Sequence, residues 1–582
     1  MQTADIIAGA CFATELTRLQ PSPYHRRVQA VISSAQMREI DRLTTERSGT
    51  PPLMLMEAAA TAVARVVTER LSGDVAGKSV LVLCGRGNNG GDGAGAARLL
   101  SLAGARVSLV LSGKVEGTRG EARTNFDVAH GLAVDEPGRG GQFEFSECES
   151  NEEWHNFLSR LSESPDVIID ALFGTGLTRP VEGISREAVQ FLRKLRASRS
   201  SDESLRPLIV SIDLPSGLNS DIGELIGEAV HADVTITMTA PKPANILPPA
   251  AHYNGDLIVA DIGSPVELIE EAKSHLFVTE GSDARRWLVQ TRYSPESYKT
   301  THGHALIIAG SRGFTGAAAL CGNAAMRAGA GLVTVATPAS TQSLVVTQLM
   351  PEVMTAALAE TDRGAVSDEA ANYVLKFAAR ANVIAIGPGL SSEDERTRNF
   401  VREVVERRQT PIVIDADGLN CLSPWPPELR GSREYPIVLT PHPGEMLRLM
   451  GAEDKSALHD RVAAARAFAS AHAVILLLKG SRPLIAAPDG LVFVNPTGNA
   501  GLGTAGAGDT LTGIVAGFLA QAYGNPGPGA DAVSTVIAAL YISGLAGDLA
   551  ASELGMRTMT ASDIREHLSA AIRSLDPEGE MP

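Results

Sequence analysis

The 582 residues are too many for one ordinary domain, and 44% hydrophobic with 20% charged residues is typical of globular cores, so we expect two or three folded domains. A formal net charge of -16 disfavours non-specific binding to nucleic acid, and we predict no nucleic-acid partner. The five cysteines include no C-x-x-C pair, which indicates a reducing compartment and neither a zinc site nor a disulfide framework.

The chain begins with residues 1–30, which mix acidic and basic side chains without the segment order of a signal peptide, and we predict a disordered extension. No apolar run reaches the length of a membrane span, so the sequence predicts a cytoplasmic protein without a membrane partner. Two helices are predicted next, one with Ser34 as its N-cap and one over residues 53–71. Residues 79–84 form an apolar run typical of a buried parallel strand.

A glycine-rich turn follows this strand. Residues 85–93 read Gly-Arg-Gly-Asn-Asn-Gly-Gly-Asp-Gly, and a helix is predicted from Ala94. Strand, glycine-rich turn and helix form the outline of a dinucleotide-binding unit, but two amides and a carboxylate are interleaved here. Their oxygens suit a hard cation as well as a ribose or a phosphate, whereas a plain tight turn would not need them together.

Two later strands of the first half end in an aspartate that is followed by a glycine-bearing loop. Residues 167–170 end in Asp170, and residues 208–213 end in Asp213. Ligands of doubly wound sheets bind at these carboxyl ends, although such an aspartate can also merely cap the next helix. Between the motifs, residues 134–163 are interpreted as an inserted or loosely built loop.

The motifs G-R-G-N-N-G-G-D-G, D-A-L-F-G-T-G and S-I-D-L-P-S-G resemble, in this order, the YjeF N-terminal domain family, the NAD(P)H-hydrate epimerases, over residues 31–263. The resemblance implies a potassium ion held by Asn89, Asp170 and Ser216, and it makes Asp213 the acid/base candidate for inverting a carbon that bears a hydroxyl. It further implies substrate contacts by Asn88, Asn89, Gly90, Gly91, Asp92, Gly174, Thr175, Gly176, Leu177, Thr178, Arg179, Pro180 and Asp213.

Lys242 lies in the segment T-M-T-A-P-K-P, which resembles a T-x-x-x-x-K motif of the same family. It is interpreted either as a cation that neutralises a phosphate or as a solvated loop lysine. The sequence alone leaves both interpretations open.

The boundary between two domains is predicted near residues 265–280. We assign residues 31–265 to the epimerase-like domain, 266–300 to a linker and 301–575 to a second domain. In the second domain, apolar strands again end in polar loops with Gly or Pro. Its predicted strands cover residues 305–309, 331–336, 383–386, 412–415, 437–440 and 473–478.

The last loop of this kind is the richest in glycine. Residues 499–513 read N-A-G-L-G-T-A-G-A-G-D-T-L-T-G, and they lead into an apolar helix. Glycines let the backbone approach a ligand, and a helix start offers free N–H groups to an anion. Asp509 would lie beside that anion, where it could take a proton from a substrate hydroxyl. The alternative is a helix start whose small residues serve only packing.

Six ordered motifs resemble the YjeF C-terminal domain over residues 302–572. They are G-S-R-x-F-x-G-A-A, G-P-G-L, D-A-D-G-L-N, L-T-P-H-P-G-E, L-K-G and G-A-G-D. That family is an ADP- or ATP-dependent NAD(P)H-hydrate dehydratase with a ribokinase-like fold. The family usually has Gly-Thr-Gly-Asp at the anion hole, and Ala507 replaces the threonine here. The resemblance implies contacts to the hydrated nicotinamide at Ala318, Gly389, His442 and Asp509, and nucleotide contacts at Lys479, Gly480, Ser481, Arg482, Pro483 and Gly508.

Several of these polar residues have physical interpretations of their own. His442 lies between two prolines, where its neutral imidazole could bind a carboxamide or hydroxyl. The alternative is that His442 is a loop histidine without a ligand. Lys479 follows an apolar run and brings a positive charge for phosphate to the sheet edge. Asp417 and Asn420 offer oxygens at the same edge, with helix caps as the competing role.

The sequence therefore predicts an α/β protein with an N-terminal Rossmann-like doubly wound sheet and a C-terminal ribokinase-like domain. The resemblance implies a bifunctional, homo-oligomeric enzyme that epimerises hydrated NADH and NADPH and dehydrates one epimer with ADP or ATP. It implies K⁺ in the first domain, and Mg²⁺ with ADP or ATP is chemically reasonable in the second, although no carboxylate stands out as a magnesium ligand. One alternative is a small-molecule kinase of the ribokinase superfamily. Another is a nucleotide-sensing scaffold without turnover, and the presence of Asp213 and Asp509 argues against this scaffold.

Overall fold

The computed structural model describes residues 29–134, 143–161, 164–197, 206–524 and 531–577. These residues form two largely parallel sheets with buried apolar clusters on both faces of each. The predicted α/β class is confirmed. The predicted extension, residues 1–30, lies almost wholly outside the described part.

The first sheet has the strand order β4-β3-β2-β5-β6-β7-β8, with every neighbouring pair parallel. Chain order reverses between β2 and β5, and parallel sheets bind ligands at the carboxyl ends beside such a point. The elements of this half are β1 (Gln29–Ala30), α1 (Ser34–Ser48), α2 (Pro52–Arg70), β2 (Ser79–Cys84), α3 (Asn88–Leu102), β3 (Arg106–Ser112), α4 (Gly120–Val134), β4 (Phe143–Cys148), α5 (Asn151–Arg160), β5 (Val167–Ala171), α6 (Gly183–Ala197), β6 (Leu208–Ile212), β7 (Val234–Met238), α7 (Pro243–Ile246), β8 (Asp256–Ala260) and α8 (Val266–Glu271).

The second sheet has eleven strands in the order β1-β9-β18-β17-β16-β15-β14-β13-β10-β11-β12, and β16 through β12 in that order run parallel. Its elements are β9 (Leu276–Val278), α9 (Gly281–Gln290), β10 (His304–Ile308), α10 (Thr315–Arg327), β11 (Leu332–Pro338), α11 (Ala339–Val346), β12 (Met354–Leu358), α12 (Ala371–Ala378), β13 (Val383–Ile386), α13 (Glu395–Arg407), β14 (Ile412–Ile414), α14 (Asp417–Cys421), β15 (Ile437–Leu439), α15 (Pro443–Met450), α16 (Arg461–His472), β16 (Ile475–Leu478), β17 (Leu484–Ala486), β18 (Val492–Val494), α17 (Ala507–Gly524), α18 (Ala532–Leu554), α19 (Ala561–Glu566) and α20 (Leu568–Leu575).

Helix α3 begins six residues before the predicted start at Ala94, so that Asn88 to Asp92 belong to its first turns. The glycines were interpreted as a loop, but they serve close packing within the helix. A Cβ on Gly90 would lie 1.8 Å from the carbonyl oxygen of Gly85, which excludes any side chain there. Close helix–strand approach therefore explains the glycines better than loop freedom does.

Two other local predictions were wrong. Ser33, not Ser34, caps α1, because its Oγ accepts from the Gln36 N–H, while Ser34 donates to Asp221. Of the stretch 134–163, residues 143–161 are not a loose loop, since they contain strand β4 and helix α5, and α5 buries Trp154 against the sheet; residues 135–142 and 162–163 lie outside the described part.

The two halves of the chain share structure at their boundary. Residues 266–300, predicted as a linker, contain β9 and α9, and β9 pairs with β18 inside the second sheet. Strand β1 then pairs with β9, so the start of the first half adds a strand to the second sheet. Ile246 of α7 is buried in the apolar cluster of the second domain. The two domains are thus packed together over a shared core.

Helix α18 is long and apolar enough to cross a membrane by length and composition, which the sequence analysis overlooked. Of its most apolar window, 67% is buried inside the protein. Such burial is typical of a core helix, so the length and composition of α18 are only weak evidence for a membrane span.

Candidate active sites

The first site lies at the carboxyl ends of four adjacent strands, β2, β5, β6 and β7. Asn89 follows β2, Gly174 follows β5 and Asp213 follows β6. A Cβ placed on Gly174 would lie 3.1 Å from Asp213 Oδ2 and 3.2 Å from Asn89 Oδ1. The structure therefore brings together residues that are far apart in the sequence, as the topology of a parallel sheet requires.

Asp213 is held in one orientation. Its backbone has a φ of 64°, a conformation that is uncommon for a residue with a side chain, and its N–H donates to the carbonyl of Ile236 at 2.7 Å. Its Oδ1 accepts from Lys242 Nζ at 2.6 Å and from Thr237 Oγ1 at 3.1 Å. Oδ2 lies on the side of Gly174. It is therefore the oxygen that faces the space between the strand-end loops, which we call the cleft.

Lys242 is neither a solvated loop lysine nor free to neutralise a phosphate. Its side chain is 1% exposed. Besides Asp213, its ammonium donates to Thr237 Oγ1 and to the carbonyl of Met238, both at 2.9 Å. All three donors of the ammonium are thus engaged within the protein. Both interpretations from the sequence are wrong, and Lys242 is a buried partner of Asp213.

Two further carboxyl groups lie close to Asp213. Desolvation, with the charges of Asp213 and Asp41, raises the pKa of Asp92 well above its ordinary value. Desolvation also raises the pKa of Asp41 to about 6, against the opposing charge of Lys242. Asp41, on helix α1, was missed from the sequence because no motif marks it.

Asp170, predicted as a potassium ligand, is completely buried at the end of β5. Its carboxylate accepts from Ser211 Oγ at 2.8 Å, from Ser216 N at 2.9 Å and from Ser216 Oγ at 2.5 Å. Burial raises its pKa, and in the described part of the chain no cationic side chain pairs with it. Nearby, Asn89 Nδ2 is buried and has no hydrogen-bond partner.

The other predicted substrate contacts of this domain differ in accessibility. Gly90 and Gly91 are buried by packing. The loop of residues 174–180 is tied down where Ser220 Oγ donates to the Thr175 carbonyl at 3.3 Å. Leu177 points into the interior, whereas Asn88, Gly176, Thr178, Arg179 and Pro180 are exposed.

The second site is built in the same way, at the carboxyl ends of the adjacent strands β13, β14, β15 and β16. Asp509 lies in the first turn of α17, as predicted, with Gly506 before it at a φ of 82°. Lys479 follows β16, and its Nζ donates to Asp415 Oδ1 at 2.6 Å. A Cβ on Gly508 would lie 3.2 Å from Lys479 Nζ, so the ammonium lies directly beside the glycine-rich turn.

Asp415 is the residue of this site that the sequence analysis did not select. It is 1% exposed, and its second oxygen accepts from Thr512 Oγ1 at 2.7 Å. Desolvation and the neighbouring charges of Asp415 and Asp417, opposed by Lys479, raise the pKa of Asp509 to about 6. Asp509 can therefore act as a base near neutral pH.

His442 is fixed as the N-cap of α15. Its Nδ1 accepts from the N–H of Gly444 at 3.0 Å and more weakly from that of Glu445 at 3.4 Å. A neutral ring with Nδ1 as acceptor carries its proton on Nε2. The side chain is 52% exposed, and its Nε2 lies 3.4 Å from Glu445 Oε1.

The remaining predicted contacts of the second domain divide into buried and accessible positions. Ala318 is completely buried, and Gly389, at a φ of 63°, has its carbonyl bound by Ser311 Oγ at 2.8 Å. Asp417 and Asn420 bond to each other at 3.3 Å, and Asp417 also accepts from the Ser391 N–H. Residues 479–483 form the turn between the antiparallel strands β16 and β17. We call them the nucleotide loop, because nucleotide contacts are predicted there.

Comparison with known proteins agrees with this two-site arrangement. A family model described as YjeF-related protein N-terminus matches residues 52–244, and one described as NAD(P)H-hydrate dehydratase matches residues 305–570. A bifunctional NAD(P)H-hydrate repair enzyme from Moorella thermoacetica is 38% identical, over 94% of this chain and 98% of that relative. The chain belongs to the family of bifunctional NAD(P)H-hydrate repair enzymes. The resemblance seen in the motifs is thereby confirmed.

A second relative and one solved structure are also similar to this chain. The enzyme of the same name from Thermofilum pendens is 34% identical, over 94% of this chain and 97% of the relative. A crystal structure of the ADP/ATP-dependent NAD(P)H-hydrate dehydratase from Bacillus subtilis, co-crystallised with ATP and Mg²⁺, is 30% identical. It covers 51% of this chain and 98% of its own, with a TM-score of 0.43.

Proposed function

We propose that the first domain interconverts the two epimers of hydrated NADH and NADPH, and that the second dehydrates one epimer at the expense of ADP or ATP. The names of the relatives support both activities. The observation that carries the proposal is the pair of strand-end sites: in the first, the reactive Asp213 is bound by Lys242, and in the second, the reactive Asp509 lies beside the Lys479–Asp415 pair. Fusing the two activities lets both epimers reach the same repaired product.

Asp213 is the proposed acid/base of the first site. Addition of water to the enamine-like ring of NADH places the hydroxyl on the carbon next to nitrogen, so the epimers differ at that carbon. Asp213 Oδ2 faces the cleft and can exchange a proton with the hydroxyl as it leaves and returns. Lys242 keeps Oδ1 bound, so only one oxygen is available for proton transfer. Exposed residues of the predicted set, from Asn88 to Pro180, would bind the substrate.

Potassium is the proposed ion of this domain, and Asn89, Asp170 and Ser216 are its proposed ligands. The residues fit such an ion, because Asp170 is buried without a cationic partner in the described part of the chain and Asn89 Oδ1 faces Gly174 at the same strand ends. Amide, carboxylate and hydroxyl oxygens are the ligands that hard cations prefer. The ion would neutralise Asp170 and hold the strand-end loops together.

Asp509 is the proposed base of the second site. It would take the proton from the ring hydroxyl, whose oxygen then attacks the terminal phosphate of ADP and releases AMP. Backbone N–H groups of residues 506–508, with Lys479 beside them, would hold the charge that develops on the phosphate. Loss of the phosphate together with a proton from the neighbouring ring carbon restores the reduced nicotinamide. His442, whose side chain is half exposed, would bind the carboxamide or the hydroxyl.

Magnesium would enter this site with the nucleotide rather than bind a preformed cage. Among the described residues, no group of three or more His, Cys, Asp or Glu side chains is arranged to hold a metal ion. Asp415 is already engaged by Lys479 and Thr512. A phosphate-bound Mg²⁺ with most of its water shell is consistent with such a donor set.

The test is recovery of the reduced-nicotinamide absorbance from hydrated NADH with ADP or ATP. Wild type is expected to consume both epimers, Asp509→Ala neither, and Asp213→Ala only one. Absence of recovery with either nucleotide would exclude the proposed repair activity. A small-molecule kinase would instead accumulate a stable phosphorylated product, which phosphorus NMR detects.

A further inference from the structure

One segment of the first domain contacts both sites, and we call residues 242–254 the bridge segment. It contains helix α7 and a short 3₁₀ turn, Ala250–Tyr253. At its start, Lys242 binds the carboxylate of Asp213, and Asn245 Nδ2 donates to the Asp213 carbonyl at 3.3 Å. The bridge segment is thereby anchored to the epimerase site.

The remainder of the bridge segment contacts the nucleotide loop of the second domain. His252 Nε2 lies 3.1 Å from Ser481 Oγ, within hydrogen-bond distance. The Arg482 guanidinium donates to the carbonyl of Ile246 at 3.5 Å, and Ile246 itself is buried in the core of the second domain. Two consecutive residues of the nucleotide loop are therefore bound by the first domain.

The nucleotide loop has a backbone that needs such support. Gly480 has a φ of 142°, and Arg482, which carries a side chain, has a φ of 48°. A left-handed backbone at a residue with a side chain, as at Arg482, persists only where the surroundings hold it, whereas glycine adopts such angles freely. From the second domain, Arg461 Nη1 donates to the Ser481 carbonyl at 3.2 Å. Ser481 is thus held at its carbonyl by its own domain and at its hydroxyl by the first domain.

We propose that His252 of the epimerase domain is a positioning residue of the dehydratase, which holds Ser481 and with it the nucleotide loop in the conformation that binds ADP or ATP. The inference rests on the proposed function, in which this loop contacts the nucleotide. It follows that the nucleotide site is complete only when the first domain is docked.

The experiment measures the binding of ADP with Mg²⁺ to the full chain by calorimetry, and KM and kcat for dehydration. Because His252→Ala removes one hydrogen bond to the nucleotide loop, we expect it to weaken ADP binding and to raise the KM for ADP about threefold to tenfold. The kcat at saturating ADP should be unchanged. Gln places a nitrogen near the position of His Nε2, so His252→Gln is expected to restore most of the affinity. His155→Ala, an exposed histidine on α5, is the matched control and should bind like wild type.

The double variant His252→Ala/Ser481→Ala separates this role from general loosening. If His252 acts only through Ser481, the double variant binds ADP about as well as Ser481→Ala alone. Equal ADP affinity of wild type and His252→Ala, with recovery of NADH intact, overturns the role of His252 but not the proposed function. Absence of nucleotide-dependent recovery in wild type overturns both. Epimerisation by His252→Ala is expected to equal that of wild type.

Discussion

Lys242 Nζ lies 2.6 Å from Asp213 Oδ1, at a position where the lysine has almost no contact with solvent. A buried ammonium is costly unless its donors are satisfied, and the carboxylate, a hydroxyl and a carbonyl satisfy all three here. The pair orients Asp213 so that one oxygen stays bound and the other faces the cleft. Lys479 and Asp415 repeat the relationship in the second domain at the same distance.

The first prediction concerns Lys242→Met, which keeps the length of the side chain and removes its charge. Asp213 loses the charged one of the two donors to Oδ1, and we expect epimerisation to slow by about 10- to 100-fold, with stability reduced by about 3 kcal/mol. Chromatographic separation of the two epimers over time measures the rate, and thermal unfolding measures the stability. Lys194→Met, on the exposed face of α6, is the control. Wild-type epimerisation in a folded Lys242→Met would contradict the assignment.

Potassium binding is tested by comparing melting temperatures in KCl and NaCl at equal ionic strength. An ion that binds only the folded state stabilises it, so wild type should melt at a higher temperature in KCl. Asp170→Asn removes the buried charge and is expected to abolish the difference. Asp166→Asn provides the control, because Asp166 lies at the other end of β5, where it accepts from the Ser79 N–H. A potassium effect that persists in Asp170→Asn would exclude this site.

The sequence predicted the parallel sheets and the strand ends well, because buried strands such as β13 and β16 are continuous apolar runs. It also located Asp509 correctly, since a glycine-rich stretch before an apolar helix is a strong local signal. It could not predict that Lys242 is buried. A single lysine between prolines has no periodicity, and its partner Asp213 is 29 residues away.

Other failures have equally physical causes. The start of α3 was misplaced because glycines that permit close helix–strand contact look like loop glycines in a sequence. Strand β9 has only three residues, too few for a recognisable pattern, so its segment was taken as a linker. Asp415 was missed because its role depends on Lys479, which joins it only through the register of the sheet.

The pH dependence of dehydration follows from the raised pKa of Asp509, about 6, caused first by desolvation and then by Asp415. A base works in its ionised form, so kcat/KM should fall about tenfold per pH unit below about pH 6. Asp415→Asn removes the neighbouring negative charge, and the acid limb should then move to lower pH. Stopped assays from about pH 4 to about pH 8, about two units on either side of that value, measure both profiles. An acid limb of Asp415→Asn that coincides with that of wild type would contradict the coupling.

The last prediction concerns Ala507, which opens α17 where the family pattern has threonine. Threonine restores a hydroxyl within reach of a phosphate at the anion hole, and one added hydrogen bond is expected to lower KM for ADP about threefold to tenfold. Ala507→Val is the matched control, because valine has nearly the same shape but no hydroxyl. We expect Val to leave KM unchanged or to raise it through crowding against the partly buried packing around this residue. Equal effects of Thr and Val would show that the hydroxyl does not contact the nucleotide.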